Sequence, residues 1–317
     1  MSNFFCLKPT SEDTLVSYIR NISKEKENSF YNFFGQKKNK DILQKYISYA
    51  VKNNQPLPHV IISGEAGYGK TTLAHIIKNS LGSNMEEVIG ETSFEKIISL
   101  IRKIKGGILF IDEIHALPLE TLEKMYSIME NFKYEGLPVT PFTIIGATTE
   151  LGSIIKKARP FYDRFKIIIE LEKYSLKELE SITKNYIKTK YDFSISEKDA
   201  KIIAINSRGT PRAVIRLSDS YVRFDKNIKE TLESFNILYN SFTAKDLKLL
   251  SFLKANPSGA GASGIACYLN TSEKNYLYET EPFLVQENII LRSPRGRKLT
   301  DKGFEMVKKL EKIKGSV

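Results

Sequence analysis

The chain carries glycine, lysine and threonine at a fixed spacing between Gly64 and Thr71. The string Gly-Glu-Ala-Gly-Tyr-Gly-Lys-Thr matches the phosphate-binding pattern G-x-x-x-x-G-K-[ST] at every defined position. Glycines let the backbone curl so that successive N–H groups point at phosphate oxygens, and a lysine can then reach the terminal phosphates. The pattern predicts that the chain binds ATP with Mg²⁺. The predicted nucleotide contacts here are Gly64, Gly67, Gly69, Lys70, Thr71 and Thr72, with the Thr71 hydroxyl as a ligand of the metal.

Two adjacent carboxylates follow an apolar run further along the chain. The run Ile108 to Ile111 is followed directly by Asp112 and Glu113. This arrangement places one carboxylate to hold Mg²⁺ and the next to polarise an attacking water. We therefore predict Asp112 as a second metal ligand, and Glu113 and Lys70 as catalytic residues of ATP hydrolysis.

A third polar position follows a later apolar run. The segment Phe142 to Ala147 is followed by Thr148 and Thr149. A hydroxyl at the end of a strand next to the glycine loop can orient water against the terminal phosphate. We predict that both threonines contact the nucleotide; a plain strand end remains the alternative.

The surrounding pattern predicts the elements that position these residues. Apolar runs alternate with helical patterns from Phe30 to about Glu170, which predicts an α/β domain with a parallel sheet and helices on both faces. The predicted strands are Val60 to Ser63, Gly107 to Ile111, Phe142 to Ala147 and Phe165 to Leu171. The glycine loop lies between the first of these strands and a helical pattern, as the motif requires.

The rest of the chain predicts two further domains. Helical patterns between Ser175 and Leu238 indicate a small all-helical domain, with Ser175 and Glu178 spaced as a capping box. Three helical patterns follow, near 244–255, 262–269 and 272–281, and then a basic hairpin, which is the outline of a winged helix. The predicted divisions are a polar N-terminal extension 1–29, the ATPase domain 30–173, the helical domain 174–240 and the winged helix 241–317.

Composition limits the remaining possibilities. The 317 residues have a net charge of +11, and residues 287–317 contain nine Lys or Arg against four Asp or Glu, which favours a nucleic-acid partner. Two cysteines, Cys6 and Cys267, are too few for a disulfide framework, and no signal-peptide or membrane-spanning pattern occurs. We predict a cytoplasmic protein without membrane contact. The three histidines lack the spacing of a metal site.

Cations near the C-terminus suit contact with DNA phosphates. They are spaced around Pro294 and Gly296, which is typical of the tip of a wing that binds the backbone without reading bases. A solvated basic loop is the alternative. The predicted DNA contacts are Arg292, Arg295, Arg297 and Lys298.

Taken in chain order, these motifs resemble the AAA+ ATPases, and more narrowly the RuvB family of Holliday-junction branch-migration motors. The resemblance extends from Phe33-Phe34-Gly35-Gln36 to the string Ser293 to Arg297, and so covers nearly the whole chain. It rests on the strings 69–77, 109–115, 141–149, Asp163-Arg164-Phe165 and 207–212.

The resemblance implies several roles. Arg164 would be an arginine finger that reaches the terminal phosphate bound by a neighbouring subunit, and Arg212 would sense the phosphates within its own subunit. A finger acting across a boundary requires a homo-oligomeric ring, which in this family would be a hexamer. The implied substrate is double-stranded DNA at four-way junctions. For either arginine, an ordinary surface or ion-pair role is the alternative.

The sequence departs from the family pattern at three places. Phe161-Tyr162 replaces a Leu-Arg pair, and Glu150 replaces an arginine. The family also carries a long hairpin before the Pro-Phe-Thr strand, where only residues 133–140 join Phe132 to Pro141 in this chain. In the family that hairpin contacts the junction-binding protein RuvA, so the shortening leaves a RuvA-like partner an open question.

Two other functions share some of these features. A clamp-loader-like ATPase has the same nucleotide motifs but ordinarily a collar domain in place of the winged helix. An ATP-switched DNA-binding initiator would use nucleotide state to control assembly and would turn over slowly. Steady-state hydrolysis stimulated by DNA separates a motor from a switch, and activity on a four-way junction separates this motor from others.

Overall fold

A computed structural model describes residues 29–315 of the chain. The predicted extension 1–29, with Cys6, therefore lies almost entirely outside the described residues. The chain divides into two compact units, residues 1–178 and 179–317. Among the residues that are described, no helix has the length and apolar character needed to cross a bilayer.

The first unit is built on a five-stranded parallel sheet in the order β2-β3-β6-β1-β7. Strands β1, β3 and β6 lie inside the sheet and are almost wholly buried, because helices cover both faces and leave no exposed side for polar residues. The predicted α/β class with a parallel sheet is therefore confirmed. The strands are β1 Val60–Ser63, β2 Met85–Ile89, β3 Ile108–Asp112, β6 Thr143–Thr148 and β7 Ile167–Glu170.

Helices and a small hairpin complete this unit. Its helices are α1 Lys37–Lys52, α2 Lys70–Leu81, α3 Phe94–Ile104, α4 Leu119–Asn131, α5 Leu151–Lys157 and α6 Arg159–Tyr162, and its hairpin is β4 Lys133–Tyr134 with β5 Leu137–Pro138. The apolar side chains of α3 and α4 pack with those of β3 in one buried cluster. This packing fixes the carboxyl ends of β1, β3 and β6 at one edge of the sheet, where the predicted site residues follow.

The sequence-based assignment missed the edge strand β2. Its side chains Glu86 and Glu87 are polar, and only Val88 is buried, so the segment has neither a continuous apolar run nor a clear alternation. Backbone pairing with β3 forms the strand regardless. The other four strands agree with the predicted ones to within two residues at each end.

The second unit begins with four helices, although the first of them starts in the preceding unit. They are α7 Leu176–Tyr191, α8 Glu197–Ile205, α9 Pro211–Arg223 and α10 Ile228–Ser234. Side chains of Ser196, Thr210 and Asn227 cap the last three at their N-termini. The predicted helix to Leu238 is wrong at its end, because α10 stops at Ser234 and residues Ile237–Tyr239 form β8, which pairs with β9 Phe242–Thr243.

The winged helix follows with its own apolar core. Its elements are α11 Ala244–Ala255, α12 Ala262–Tyr268, α13 Glu273–Asn275, a π-helical turn Tyr276–Thr280, α14 Glu281–Gln286, β10 Ile290–Ser293, β11 Gly296–Leu299 and α15 Asp301–Lys314. The predicted basic hairpin is present and starts at Ile290. The sequence pattern also predicts an apolar segment from Leu284 to Leu291 before the basic residues, but Leu284 belongs to α14 and lies in the core. We call residues 290–299 the wing.

Candidate nucleotide site and DNA-binding wing

The glycine loop has the backbone conformation that its sequence predicts. Gly64, Gly67 and Gly69 have φ angles of 150°, 83° and 97°, a region that residues with a side chain rarely adopt. A Cβ atom on Gly69 would lie 3.2 Å from the ring of Phe33. The loop therefore needs glycine both for its turn and for its close packing.

Lys70 begins helix α2 directly after the loop and is 7% exposed. Its Nζ donates hydrogen bonds to the carbonyl oxygens of Gly64 at 2.7 Å and Glu65 at 3.2 Å. The ammonium group is thus held inside the curl of the loop, at the N-terminal end of a 12-residue helix. Backbone N–H groups and the helix dipole make such a position favourable for anions.

Tyr174 contacts the glycine loop from outside, through Tyr68 of the loop. Tyr174 Oη donates to the carbonyl oxygen of Tyr68 at 2.9 Å, and the two rings meet edge to face. Burial raises the pKa of Tyr174, so its hydroxyl remains a donor at neutral pH. Sequence reasoning assigned no role to this pair, because its members are 106 residues apart.

The two predicted metal ligands line one cavity. Thr71 and Asp112 both border a space of about 320 Å³, together with Thr92 and Lys96. A hydroxyl and one carboxylate are oxygen ligands that suit Mg²⁺, which usually retains several waters and takes further oxygens from substrate phosphates. Residues 29–315 contain no cluster of three or more His, Cys, Asp or Glu suited to a metal held by protein alone.

Glu113 lies at the centre of a polar cluster at the edge of the sheet. Its Oε2 accepts from the backbone N–H of Thr149 at 3.3 Å and from the hydroxyl of Thr149 at 3.2 Å. His115 Nδ1 lies 3.2 Å from the same oxygen. Glu113 has a φ of 47°, so the chain turns sharply after β3. As a result, the Glu113 carboxylate faces the end of β6.

The two predicted threonines differ in their surroundings. Thr148 is fully buried, and its Oγ1 accepts from the backbone N–H of Glu150 at 2.9 Å and contacts His115 Nδ1 at 3.0 Å. Thr149 is exposed and contacts Glu113. Of the two hydroxyl groups, only that of Thr149 is both accessible and next to the candidate catalytic carboxylate.

Arg164 lies on the surface of the first unit, 34% exposed. Its Nη2 donates to Glu130 Oε1 at 2.6 Å and to Tyr126 Oη at 2.9 Å, and the guanidinium carbon is 4.7 Å from the centre of the Tyr126 ring. Both partners belong to α4. The predicted finger is therefore held at the surface by α4. The sequence did not indicate these two contacts.

Arg212 is the second residue of α9 and is exposed. The helix begins with Thr210, whose hydroxyl accepts from the backbone N–H of Ala213, and with Pro211 at its first position. This start is rigid, because proline fixes φ and the cap satisfies a backbone donor.

Two of the four predicted DNA contacts are paired with a buried carboxylate. Glu281 is fully buried, and its Oε1 accepts from Arg297 Nε at 2.5 Å while its Oε2 accepts from Arg292 Nη2 at 2.8 Å. Tyr276 Oη lies 3.3 Å from the same carboxylate. The two arginines hold the pKa of Glu281 below its usual value against the opposing effect of burial.

Of the other two cations, Arg295 is exposed and Lys298 is half-buried. Within the part of the chain that the structure describes, we find no ion pair for Arg295 or Lys298. Gly296, the first residue of β11, has a φ of 109°, and a Cβ there would lie 2.4 Å from the carbonyl oxygen of Ala260. The tip is therefore packed against the loop before α12, with Arg295 at its turn.

The shortened segment before β6 retains a minimal hairpin. In strands β4 and β5, Lys133 pairs with Pro138 and Tyr134 pairs with Leu137. Glu135 and Gly136 form the turn, with φ angles of 50° and 76°. The Tyr134 ring packs edge to face on Phe94 of α3.

Comparisons with known proteins agree with this architecture. The model of the "Holliday junction DNA helicase RuvB P-loop domain" matches residues 26–171, and that of the "RuvB C-terminal winged helix domain" matches residues 240–308. Proteins named "Holliday junction branch migration complex subunit RuvB" are similar over most of their length. That of Mycoplasmopsis pulmonis is 33% identical, covering 89% of this chain and 97% of its own, and that of Thermotoga petrophila is 31% identical, covering 97% of both.

A solved structure has the same fold. The Thermotoga maritima RuvB Holliday junction branch migration motor has a TM-score of 0.78 and 33% identity, over 89% of this chain and 97% of that one. The two family models together match well over half of the chain. The chain belongs to the RuvB family of P-loop ATPases.

Proposed function

We propose that the chain is an ATP-driven DNA translocase that promotes branch migration of Holliday junctions during recombination and repair. The observation that carries this proposal is the coexistence, in one chain of the family, of a hydrolytic site and a basic wing. The glycine loop with Lys70 holds the triphosphate, and Glu113 stands next to Thr149 at the carboxyl edge of the sheet.

In the proposed mechanism, Lys70 leaves the loop carbonyls to neutralise the terminal phosphates, which its flexible side chain permits. Thr71 and Asp112 would hold Mg²⁺, which would neutralise negative charge on the phosphates. Glu113 polarises the attacking water, and Thr149 fixes the direction of its carboxylate. His115 and the buried Thr148 contact each other and support the pair of Glu113 and Thr149.

The Arg164 guanidinium supplies the last positive charge, from a neighbouring subunit. It is at the surface, and its partners Glu130 and Tyr126 belong to the same chain. An exchange of Glu130 for a phosphate oxygen keeps the arginine paired in both states. We accordingly propose a homo-oligomeric ring, expected to be a hexamer, with the site completed between subunits.

Other parts of the proposal concern domains and surroundings. We propose an ATPase domain 30–173, a helical lid 174–240 with Arg212 as phosphate sensor, and a winged helix 241–317 that binds duplex DNA. A motor that works on chromosomal junctions acts in the cytoplasm. Whether a RuvA-like protein loads it through the minimal hairpin 133–138 is a question for the assay below.

The test uses a synthetic four-way junction with labelled arms. The purified chain should separate the arms when ATP and Mg²⁺ are present, either alone or with a RuvA-like protein, and Glu113→Gln should abolish this while nucleotide still binds. DNA should stimulate steady-state hydrolysis. Absence of arm separation under both conditions, with hydrolysis intact, would contradict branch migration and favour the clamp-loader-like or initiator alternative.

A further inference from the structure

Arg208 joins the helical part of the second unit to the winged helix. It lies in the turn between α8 and α9, four residues before Arg212, and has a φ of 51°. Its guanidinium forms an ion pair with Asp246 of α11 and lies 4.6 Å from the centre of the Phe283 ring. Asp246 and Phe283 both belong to the winged helix.

Hydrogen bonds of backbone and side-chain atoms also join the same turn to Ser241. The N–H of Arg208 donates to Ser241 Oγ at 3.1 Å, and its Nε donates to the Ser241 carbonyl oxygen at 3.3 Å. In return, the Ser241 N–H donates to Asn206 Oδ1 at 2.8 Å, and its hydroxyl donates to the Ile205 carbonyl oxygen at 2.8 Å. Four hydrogen bonds thus connect the segment Ile205 to Arg208 of the helical part with Ser241, the first residue of the winged helix.

Asp246 has a second task at the same point. It is 1% exposed, and its Oδ2 accepts from the N–H and hydroxyl of Thr243, closing the capping box that begins α11. A buried carboxylate is costly unless it is paired, so Arg208 is held firmly. The ion pair therefore links the turn before α9, in the helical part, to the start of α11, the first helix of the winged helix.

We infer that the Arg208–Asp246 pair is the mechanical connection through which movement of the lid reaches the DNA-binding domain. This inference rests on the proposed function, in which Arg212 responds to the phosphates at the start of α9. A displacement of that start moves Arg208 with it, because only Gly209 to Pro211 separate the two arginines. Arg208 is a positioning residue in this scheme and contacts neither nucleotide nor DNA.

The test compares ATP consumption with junction movement. Arg208→Met removes the charge but roughly keeps the length of the side chain, and Asp246→Asn keeps an acceptor for the Thr243 cap while removing the ion pair. Arg216→Met is the matched control, because Arg216 lies over the ring of Phe235 in the helical part itself. DNA-stimulated hydrolysis, duplex binding and branch migration are measured for each variant with the full chain.

For Arg208→Met and Asp246→Asn we expect hydrolysis and duplex binding within about twofold of wild type and branch migration at least tenfold slower. The ATP consumed per junction moved therefore rises at least fivefold, whereas Arg216→Met behaves as wild type. Unchanged migration per ATP in both variants would overturn the inference, as would a proportional fall of all three activities, which indicates a purely structural role. If Arg208→Met does not fold, Asp246→Asn decides. Failure of wild type to migrate junctions overturns the proposed function instead.

Discussion

The salt dependence of DNA binding distinguishes the cations of the wing. Each phosphate contact by a Lys or Arg releases counterions and contributes ~0.9 to the slope of log K against log salt concentration. Arg295 has no ion pair among the described residues, whereas Arg297 is 20% exposed and bound to the buried Glu281. We therefore expect Arg295→Ala and Arg297→Ala to weaken DNA binding in different ways.

For Arg295→Ala the slope should fall by ~0.9 for each wing engaged with the duplex. A fourfold rise in salt from ~50 to ~200 mM changes affinity by a factor of four to the power of the slope. The wild type should therefore lose about 3.5-fold more affinity than the variant over this range, per engaged wing. The thermal midpoint should not change, because no described partner is lost.

For Arg297→Ala the slope should stay close to that of wild type while stability falls. Removing one partner of a buried ion pair typically lowers the free energy of unfolding by ~3–5 kcal/mol. Because Arg292, which is largely exposed, still pairs with Glu281 in this variant, we expect a loss of about 1–3 kcal/mol. Affinity should fall by a similar factor at every salt concentration, because the wing is misplaced.

Fluorescence anisotropy with a labelled duplex gives the slopes, and thermal unfolding followed by circular dichroism gives stability. Lys298→Ala should behave like Arg295→Ala, which provides an internal comparison at the second unpaired cation. If Arg297→Ala lowers the slope as much as Arg295→Ala with an unchanged thermal midpoint, Arg297 contacts phosphate directly. The division of the wing into holding and binding cations would then be wrong.

Three further outcomes are expected. Arg164→Ala should bind a fluorescent nucleotide as wild type does but hydrolyse ATP ~10³ to 10⁵-fold more slowly, because the neighbour's phosphates lose their arginine; full turnover would refute the finger. Glu113→Gln should reduce the hydrolysis rate ~10²–10⁴-fold with binding retained, since an amide cannot polarise water; equal loss of binding would indicate a structural role. Burial, with a smaller contribution from the charge of Lys166, lowers the pKa of His59 to about 4. In the unfolded chain His59 binds a proton below pH ~6.5, whereas in the folded chain it stays neutral down to a pH of about 4. The free energy of unfolding, measured in urea, should therefore be ~2 kcal/mol lower at pH 5 than at pH 7. His59→Gln should remove most of this difference.

The conformation of the glycine loop and the position of Asp112-Glu113 at the end of β3 agree with the sequence-based prediction because each motif is local. The glycine loop and the pair Asp112-Glu113 consist of neighbouring residues, and their backbone conformations follow from residue type and from the strand before them. The positions of the strands along the chain also followed from apolar periodicity, apart from β2. That strand lies at an edge of the sheet, where polar side chains carry no penalty and periodicity gives no signal.

What the sequence did not predict depends on contacts between distant residues. Arg164 is 34 residues from Glu130, Arg208 is 38 from Asp246, and Arg297 is 16 from Glu281. No spacing rule applies to such pairs, because the partners meet only after the elements between them have packed. The sequence alone therefore predicted a finger for Arg164, a DNA contact for Arg297 and no role for Arg208.

Burial of a carboxylate divides these arginines into two groups. A buried Asp or Glu needs a charged partner, so an arginine next to it is committed to holding the fold, as Arg297 is by Glu281 and Arg208 by Asp246. An arginine whose acid is exposed, as with Arg164 and Glu130, can leave at little cost and bind a phosphate. We therefore propose that the accessibility of the acid, more than that of the arginine, separates the cations that position the winged helix from Arg164, the proposed finger.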